Sequence, residues 1–425
     1  MKRLFVAQGS LHLITALVAG ETCTAGGAEV PSAEDTILIH GLNPDREQSA
    51  TWAAVLERAV RESHTGSGAP PRFLFLDPET VRRAERTARW QGWPRAARDL
   101  VACIGEGFEE IYIQRNREWI NHTIVAAYPQ ARVICTGDGL GLNYSDRYWD
   151  PERSLRASPP LAGRLRERAV RARSVLARAA RSAPEHAPRP RLDAHCLLLA
   201  NFFDDQIEAP ILADPARVRD RIDRWIPSVL PEAAIAPIEV GEAEELVVLV
   251  TSCFSEAGRI DRDREIEAYV ERLEEVDPEH RALWVVKPHP RDLAQKTIEL
   301  VAALRARHPG VHLLDDPARR YLPFEVTVRA ELSHPDLPPR RFVTFSSASL
   351  ALELLYGDET LGAFGEARVR RCFRPEFVET RLRHERDLER AVQTIRGGER
   401  HLRSSETATE ETATEETAKT KERRS

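Results

Sequence analysis

Residues 282–292, ALWVVKPHPRD, combine a strand-like apolar run with a cluster of groups suited to anion chemistry. Ala282 to Val286 have the length and β-branched content of a buried parallel strand. Lys287, His289 and Arg291 then alternate with Pro288 and Pro290. Each proline restricts its own φ and the residue before it, so the imidazole of His289 stands on a stiff arm. An imidazole beside a phosphate donates a hydrogen bond, or a proton, to a leaving group. A second strand-like run, VTFSSASLALELLYG, ends in Ser346-Ser347 just before a helical pattern. Two hydroxyls plus the free N–H groups of a helix start form an anion site, although serine there also serves as a simple N-cap. A third, VICTGDGLGLNY, places Asp138 between Gly137 and Gly139. Glycine lets a backbone approach a ligand closely, and a carboxylate there can act as a base toward a hydroxyl; a plain Gly-Asp-Gly turn is the alternative.

These residues need strands to carry them, and the chain supplies two series. In the first half, LFVAQ, DTILIHG (35–41), RFLFLD (72–77), EEIYIQ (109–114) and ARVICTG (131–137) alternate with helical stretches. In the second, LVVLVTS (246–252), RALWVVKPHP (281–290), VHLLDD (311–316), RFVTFSS (341–347) and ETLGAF (359–364) do the same, and residues 380–396 read as a final helix. This rhythm predicts an α/β protein with two Rossmann-like, doubly wound domains facing a cleft. The boundaries read as 1–225 for an N-terminal, acceptor-side domain, 226–245 for a proline-rich linker, 246–400 for a donor domain and 401–425 for a disordered tail. Ligands of such sheets bind at the carboxyl ends of the strands, where the three motifs fall. A carboxylate from one domain would then face an imidazole and a serine pair from the other. That division suits transfer of a glycosyl group from a nucleotide donor to a hydroxyl.

Composition narrows the field. The 425 residues are 42% apolar and 30% charged with a formal net charge of −6, which fits a globular enzyme and gives no basic footprint for nucleic acid. The six cysteines are scattered without a Cys-x-x-Cys pair, so neither a disulfide framework nor a zinc site is expected, and a cytoplasmic setting is. The opening MKRLFVAQGSLHLITALVAGETC reads as strand, Gly-Ser turn and helix, with polar residues breaking the apolar run that a signal peptide would need. No segment reaches the roughly 18 apolar residues of a membrane span, so any membrane association, at the inner face, would be peripheral.

The motifs also carry a resemblance. Asp138-Gly139, His289-Pro290 and Ser346-Ser347, in this order, resemble the acidic-Gly, His-Pro and Ser-Ser/Thr motifs of bacterial sialyltransferases with GT-B architecture. The opening LFVAQGSLHLITAL is similar to the start of the polysialyltransferase branch. The resemblance implies an inverting, metal-independent transfer of sialic acid from CMP-sialic acid, a co-substrate rather than a cofactor, to a glycan hydroxyl. It implies Asp138 as general base, with Gly139 and Asn143 on the acceptor side. It implies His289 as the residue at the CMP phosphate, with Pro290, Ser346 and Ser347 completing that site. Lys287, two residues before His289, adds a nearby countercharge that the resemblance itself does not supply. RRYLPFEV resembles a Pro-x-Glu segment, which assigns Glu325 to the cytidine ribose or base. The chain departs from the pattern at Gly137, where a first acidic residue is usual. The rivals are a CDP-glycerol or CDP-ribitol phosphotransferase, a CMP-Kdo transferase, and a non-catalytic sugar-nucleotide-binding protein. An isomerase of the nucleotide-sugar 2-epimerase type shares the architecture, but its usual additional acidic and basic groups are not recognisable in this sequence.

Overall fold

The computed structural model describes residues 1–24, 34–40, 46–63, 70–114, 119–137, 192–199, 211–230, 238–315 and 317–398. The five runs of the first series become β1 (Lys2–Ala7), β2 (Glu34–His40), β3 (Arg72–Leu76), β4 (Glu110–Ile113) and β5 (Arg132–Gly137), and two further strands, β6 (Ala194–Leu197) and β7 (Ile211–Leu212), extend the sheet. Between and after them lie α1 (Ser10–Thr24), α2 (Arg46–Glu62), α3 (Pro78–Gln91), α4 (Trp93–Ile104), α5 (Trp119–Ala127) and α6 (Pro215–Val229). The strands form one parallel sheet in the order β3-β2-β1-β4-β5-β6-β7. The opening residues are therefore a central strand and its crossover helix. Leu4 to Ala7 are buried, and Phe5 stacks on Tyr112 of β4 with ring centroids 4.7 Å apart.

The second series becomes β8 (Glu245–Val250), β9 (Ala282–Lys287), β10 (Val311–Leu313), β11 (Arg340–Thr344) and β12 (Thr360–Leu361), paired in parallel in the order β10-β9-β8-β11-β12. Its helices are α7 (Arg262–Val276), α8 (Ala294–Arg305), α9 (Pro317–Tyr321), α10 (Phe324–Thr327), α11 (Ala348–Tyr356), α12 (Glu366–Cys372) and α13 (Pro375–Arg396). A π-helical turn, Val328–Leu332, follows α10. Strands β8 and β9 are almost wholly apolar because helices cover both faces. Both sheets thus have the doubly wound α/β arrangement that the alternation of runs predicted.

Local signals set the helix ends. The Asp77 side chain accepts the N–H groups of Glu79 and Thr80 at 2.8 and 3.1 Å, and Asp214 accepts that of Ala216 at 2.9 Å. Helix α6 runs through residues 226–229 of the segment read as linker and contains Pro227, which sits in its last turn where little helix remains to disrupt. Residues 238–244 then lead into β8 without a helix or strand.

The two halves share a core. Trp52 of α2 stacks on Tyr321 of α9 at 5.7 Å, and Leu350, Leu355 and Leu388 of the second half join the same apolar cluster as Leu13 and Trp225 of the first. Arg219 of α6 donates to the carbonyl of Leu355 at 3.0 Å, and Arg329 pairs with Asp223 at 2.7 Å. Among the described residues, no helix is long and apolar enough to cross a membrane.

Candidate active site

Strand register brings the second-half motifs together. Val250, the last residue of the central strand β8, pairs with Lys287 of β9 on one side and with Thr344 of β11 on the other. Adjacent strands lie about 4.8 Å apart, so Lys287, Val250 and Thr344 form one row across the sheet. Two residues beyond that row stand His289, Ser252 and Ser346. The order β10-β9-β8-β11-β12 reverses direction between β8 and β11, and such a reversal opens a crevice at the carboxyl edge. His289 and the serines therefore border the switch point of this sheet.

His289 is fixed through its backbone and its ring. Its N–H donates to the Thr251 hydroxyl at 2.7 Å and to Asp292 Oδ2 at 3.1 Å, and its carbonyl accepts the Asp292 N–H at 2.9 Å. Its Nδ1 accepts the Arg291 N–H at 3.0 Å. A ring nitrogen that accepts carries no proton, so the neutral imidazole holds its proton on Nε2. Burial, and after it the positive charges of Arg291, Lys287 and Lys296, lower the imidazole far below its ordinary range, to about 3. The residue is only partly buried, so His289 presents a neutral N–H donor at the strand end.

The serine turn is built differently. Ser346 Oγ lies 3.3 Å from Thr344 Oγ1 and accepts the Ala348 N–H at 3.3 Å, while its carbonyl takes the hydroxyl of Ser349 at 3.1 Å. Ser347 occupies the N-cap position of α11, yet its side chain makes no capping hydrogen bond. Both serines are partly exposed. The hydroxyl of Ser347 and the first N–H groups of α11 thus share one end of a helix dipole. Beneath the turn, the buried Arg381 of α13 donates to the carbonyl of Phe345 at 2.8 Å and to Glu385 at 2.9 Å. Its guanidinium lies 5.1 to 5.7 Å from the ring centroids of Phe254, Phe364 and Phe373, and Phe345 stacks on Phe364 at 3.7 Å.

The remaining expectations meet the structure unevenly. Lys287 is 2% exposed and donates to the carbonyls of Pro288 and Arg320 at 3.0 and 3.4 Å, so its ammonium ties the end of β9 to α9. Pro290 follows His289 in the turn and is partly buried. Glu325 is buried at the junction of the two halves, where its carbonyl accepts the Tyr356 hydroxyl at 2.8 Å. Burial first, and then the charge of Glu325, raise that phenol above its ordinary range. Asp138, Gly139 and Asn143 lie outside the described residues; β5 ends one residue earlier, at Gly137.

One cluster went unforeseen. Lys296, with a side chain 1% exposed, pairs with Asp292 at 2.9 Å, Glu256 at 3.0 Å and Glu265 at 3.1 Å, and donates to the Ser252 carbonyl at 2.8 Å. Burial opposes its charge, but the three carboxylates outweigh burial and raise its pKa. Burial pushes Asp292 up to about 6 against the pull of Lys296 and Thr251. The Tyr269 hydroxyl bridges Glu265 and the Ser252 backbone. The cluster binds the loop after β8 to the loop after β9. An Asp292–Lys296 pair four residues apart was its one sequence signal. Among the described residues, no three His, Cys, Asp or Glu side chains come together in a way that could hold a metal ion.

Comparison with known proteins adds a family. A family model described as Alpha-2,8-polysialyltransferase (POLYST) matches residues 108–337, more than half of the chain, including His289 but not the serine turn. No curated protein matches the sequence. Among solved structures, the UDP-GlcNAc 2-epimerase of Neisseria meningitidis is similar at 13% identity, covering 87% of this chain and 85% of that one with a TM-score of 0.41. The alpha/beta-galactoside alpha-2,3-sialyltransferase of Photobacterium phosphoreum is similar at 11% identity, covering 84% and 90% with a TM-score of 0.40. The GT-B domain of a sialyltransferase from Photobacterium damselae is similar at 11% identity, covering 90% and 96% with a TM-score of 0.40.

Proposed function

The chain belongs to the alpha-2,8-polysialyltransferase family, and from that premise we propose that it is an inverting, metal-independent sialyltransferase that uses CMP-sialic acid as donor and a glycan hydroxyl as acceptor. The observation that carries this reading is the common row of Lys287, Val250 and Thr344, which sets His289 and Ser346 at one sheet edge. In the reaction, the bond from the anomeric carbon to the phosphate oxygen breaks as the bond to the acceptor oxygen forms on the opposite face. The electron pair leaves with CMP, and the acceptor proton passes to Asp138. Negative charge growing on the phosphate is met by the Nε2–H of His289, the Ser346 and Ser347 hydroxyls and the first N–H groups of α11. These donors are held in place before the reaction, which is how electrostatic catalysis gains its strength. A neutral imidazole of low pKa acts here as a hydrogen-bond donor, while base catalysis by Asp138 contributes about 10²–10⁴-fold.

Incubation with CMP-sialic acid, CMP-Kdo and CDP-glycerol, followed by mass spectrometry, tests the donor. We expect CMP-sialic acid to be consumed, in the presence of EDTA as in its absence. His289→Ala should lower kcat by about 10²–10³-fold, the cost of one preorganised donor. Asp138→Ala should abolish transfer and keep CMP binding. Consumption of CDP-glycerol instead would move the protein to the phosphotransferase reading.

A further inference from the structure

The loops after β8 and β9 meet at a single hydroxyl. Thr251, 1% exposed, directly follows β8; its N–H donates to the Lys287 carbonyl at 3.1 Å, and its Oγ accepts the His289 N–H at 2.7 Å. The same hydroxyl donates to Asp292 Oδ2 at 2.5 Å, and Asp292 Oδ1 is paired with Lys296. A threonine hydroxyl has one proton and two lone pairs, so this one both accepts and donates, which a hydrocarbon of the same shape cannot do. Resting on the reading that His289 faces the donor phosphate, we propose that Thr251 is the positioning residue for His289, with Asp292 and Lys296 fixing the direction of its hydroxyl.

The chemistry follows from the chain of contacts. Lys296 holds Asp292, Asp292 Oδ2 accepts the hydrogen bond of the Thr251 hydroxyl, and that fixed direction of the O–H turns a lone pair of Thr251 toward the His289 N–H. With the backbone of His289 anchored, the Arg291 N–H reaches Nδ1 at 3.0 Å and leaves the ring proton on Nε2. Without the Thr251 hydroxyl, the His289 N–H keeps only its longer contact to Asp292 Oδ2 at 3.1 Å, and the Pro288-His289-Pro290 arm loses the shorter of the two bonds that set its direction. Misplacing a donor by about 1 Å costs on the order of a hundredfold in rate. Supporting contacts of this type are costly to lose even though they never touch the substrate.

Thr251→Ser, Thr251→Val and Thr251→Ala separate the hydroxyl from the volume. A purely structural role predicts that activity follows packing, so that valine retains the most and alanine the least. The positioning role predicts a crossed order. Serine should stay within about threefold of the wild type, while valine and alanine lose about ten- to a hundredfold in kcat with donor KM and CMP binding little changed. A second readout needs no donor: ¹⁵N-labelled histidine spectra, with the His289 signal assigned by its absence in His289→Ala, should show the Nε2–H tautomer in the wild type and serine variant. Valine and alanine should show mixed tautomers, and either one suffices if the other does not fold. Wild-type kcat in valine and alanine, or serine losing activity with them, overturns the proposal. If the wild type consumes no CMP-sialic acid yet the tautomer still follows the hydroxyl, the donor assignment fails and the role of Thr251 stands.

Discussion

Gly137 closes β5 with φ of 144°, a backbone region that side chains bearing a Cβ rarely adopt. The position that departs from the paired acidic motif is thus one where the local backbone favours glycine. Its neighbours leave little choice of path, because its carbonyl accepts the Leu198 N–H at 3.1 Å and the residue itself pairs with Leu197 of β6. Restoring an acidic residue by Gly137→Asp should cost about 1–3 kcal/mol through backbone strain, read as a lower midpoint in urea unfolding. An unchanged midpoint would show that the backbone relaxes freely there. His289 was legible as a chemical group because two prolines frame it. Its tautomer was not, since that depends on which amide the folded turn brings to Nδ1.

Helix α13 shows how an element remote in sequence supports the site. It places Arg381 under Phe345, and one turn of the same helix buries His384, whose Nδ1 lies 3.0 Å from Arg381 Nη1. Burial lowers His384 to about 3, and His289 is lowered to about 3 as well, from an ordinary 6.5. For both, the unfolded chain takes up protons first as pH falls, so their contribution to stability is complete above about 6.5 and is lost progressively toward 3. Asp292, raised from 3.8 to about 6, works in the opposite direction and offsets part of that loss below 6. Removing one such histidine by His384→Gln should make stability less pH-dependent by about 1.4 kcal/mol per pH unit between 6 and 4. Urea unfolding of wild type and variant across that range is the measurement; equal slopes would mean that His384 titrates normally.

The two α/β halves bury apolar side chains in one cluster, so they are expected to unfold together. The exposed Arg329–Asp223 pair adds little, about 0–1 kcal/mol as surface pairs do. Trp52, 6% exposed and stacked on Tyr321, carries much more, and Trp52→Ala should cost about 3–5 kcal/mol. In the wild type, fluorescence and circular dichroism should follow one unfolding transition. In Trp52→Ala the two probes should separate as the halves lose their common core. Coincident, unshifted transitions in the variant would place the coupling elsewhere in the cluster.

The alternation of apolar runs with helical stretches was enough to identify the second sheet and five strands of the first, because periodicity is a local property of consecutive residues; the two-residue β7 is too short to show any. The same runs showed that His289 and the serine pair stand at strand ends. Which strands are neighbours was not written locally. Strand β8 lies between β9 and β11, although β11 follows it by some ninety residues, and that adjacency depends on how crossover helices pack across the sheet. The burial of Lys296 among three carboxylates and of Arg381 among three phenylalanines likewise arises only when distant segments exclude water together. Residue types and their strand-end positions were therefore a property of the sequence. The common row of strand ends, the neutral Nε2–H imidazole and its Thr251 anchor belong to the tertiary structure, because hydrogen bonds and burial between remote segments create them.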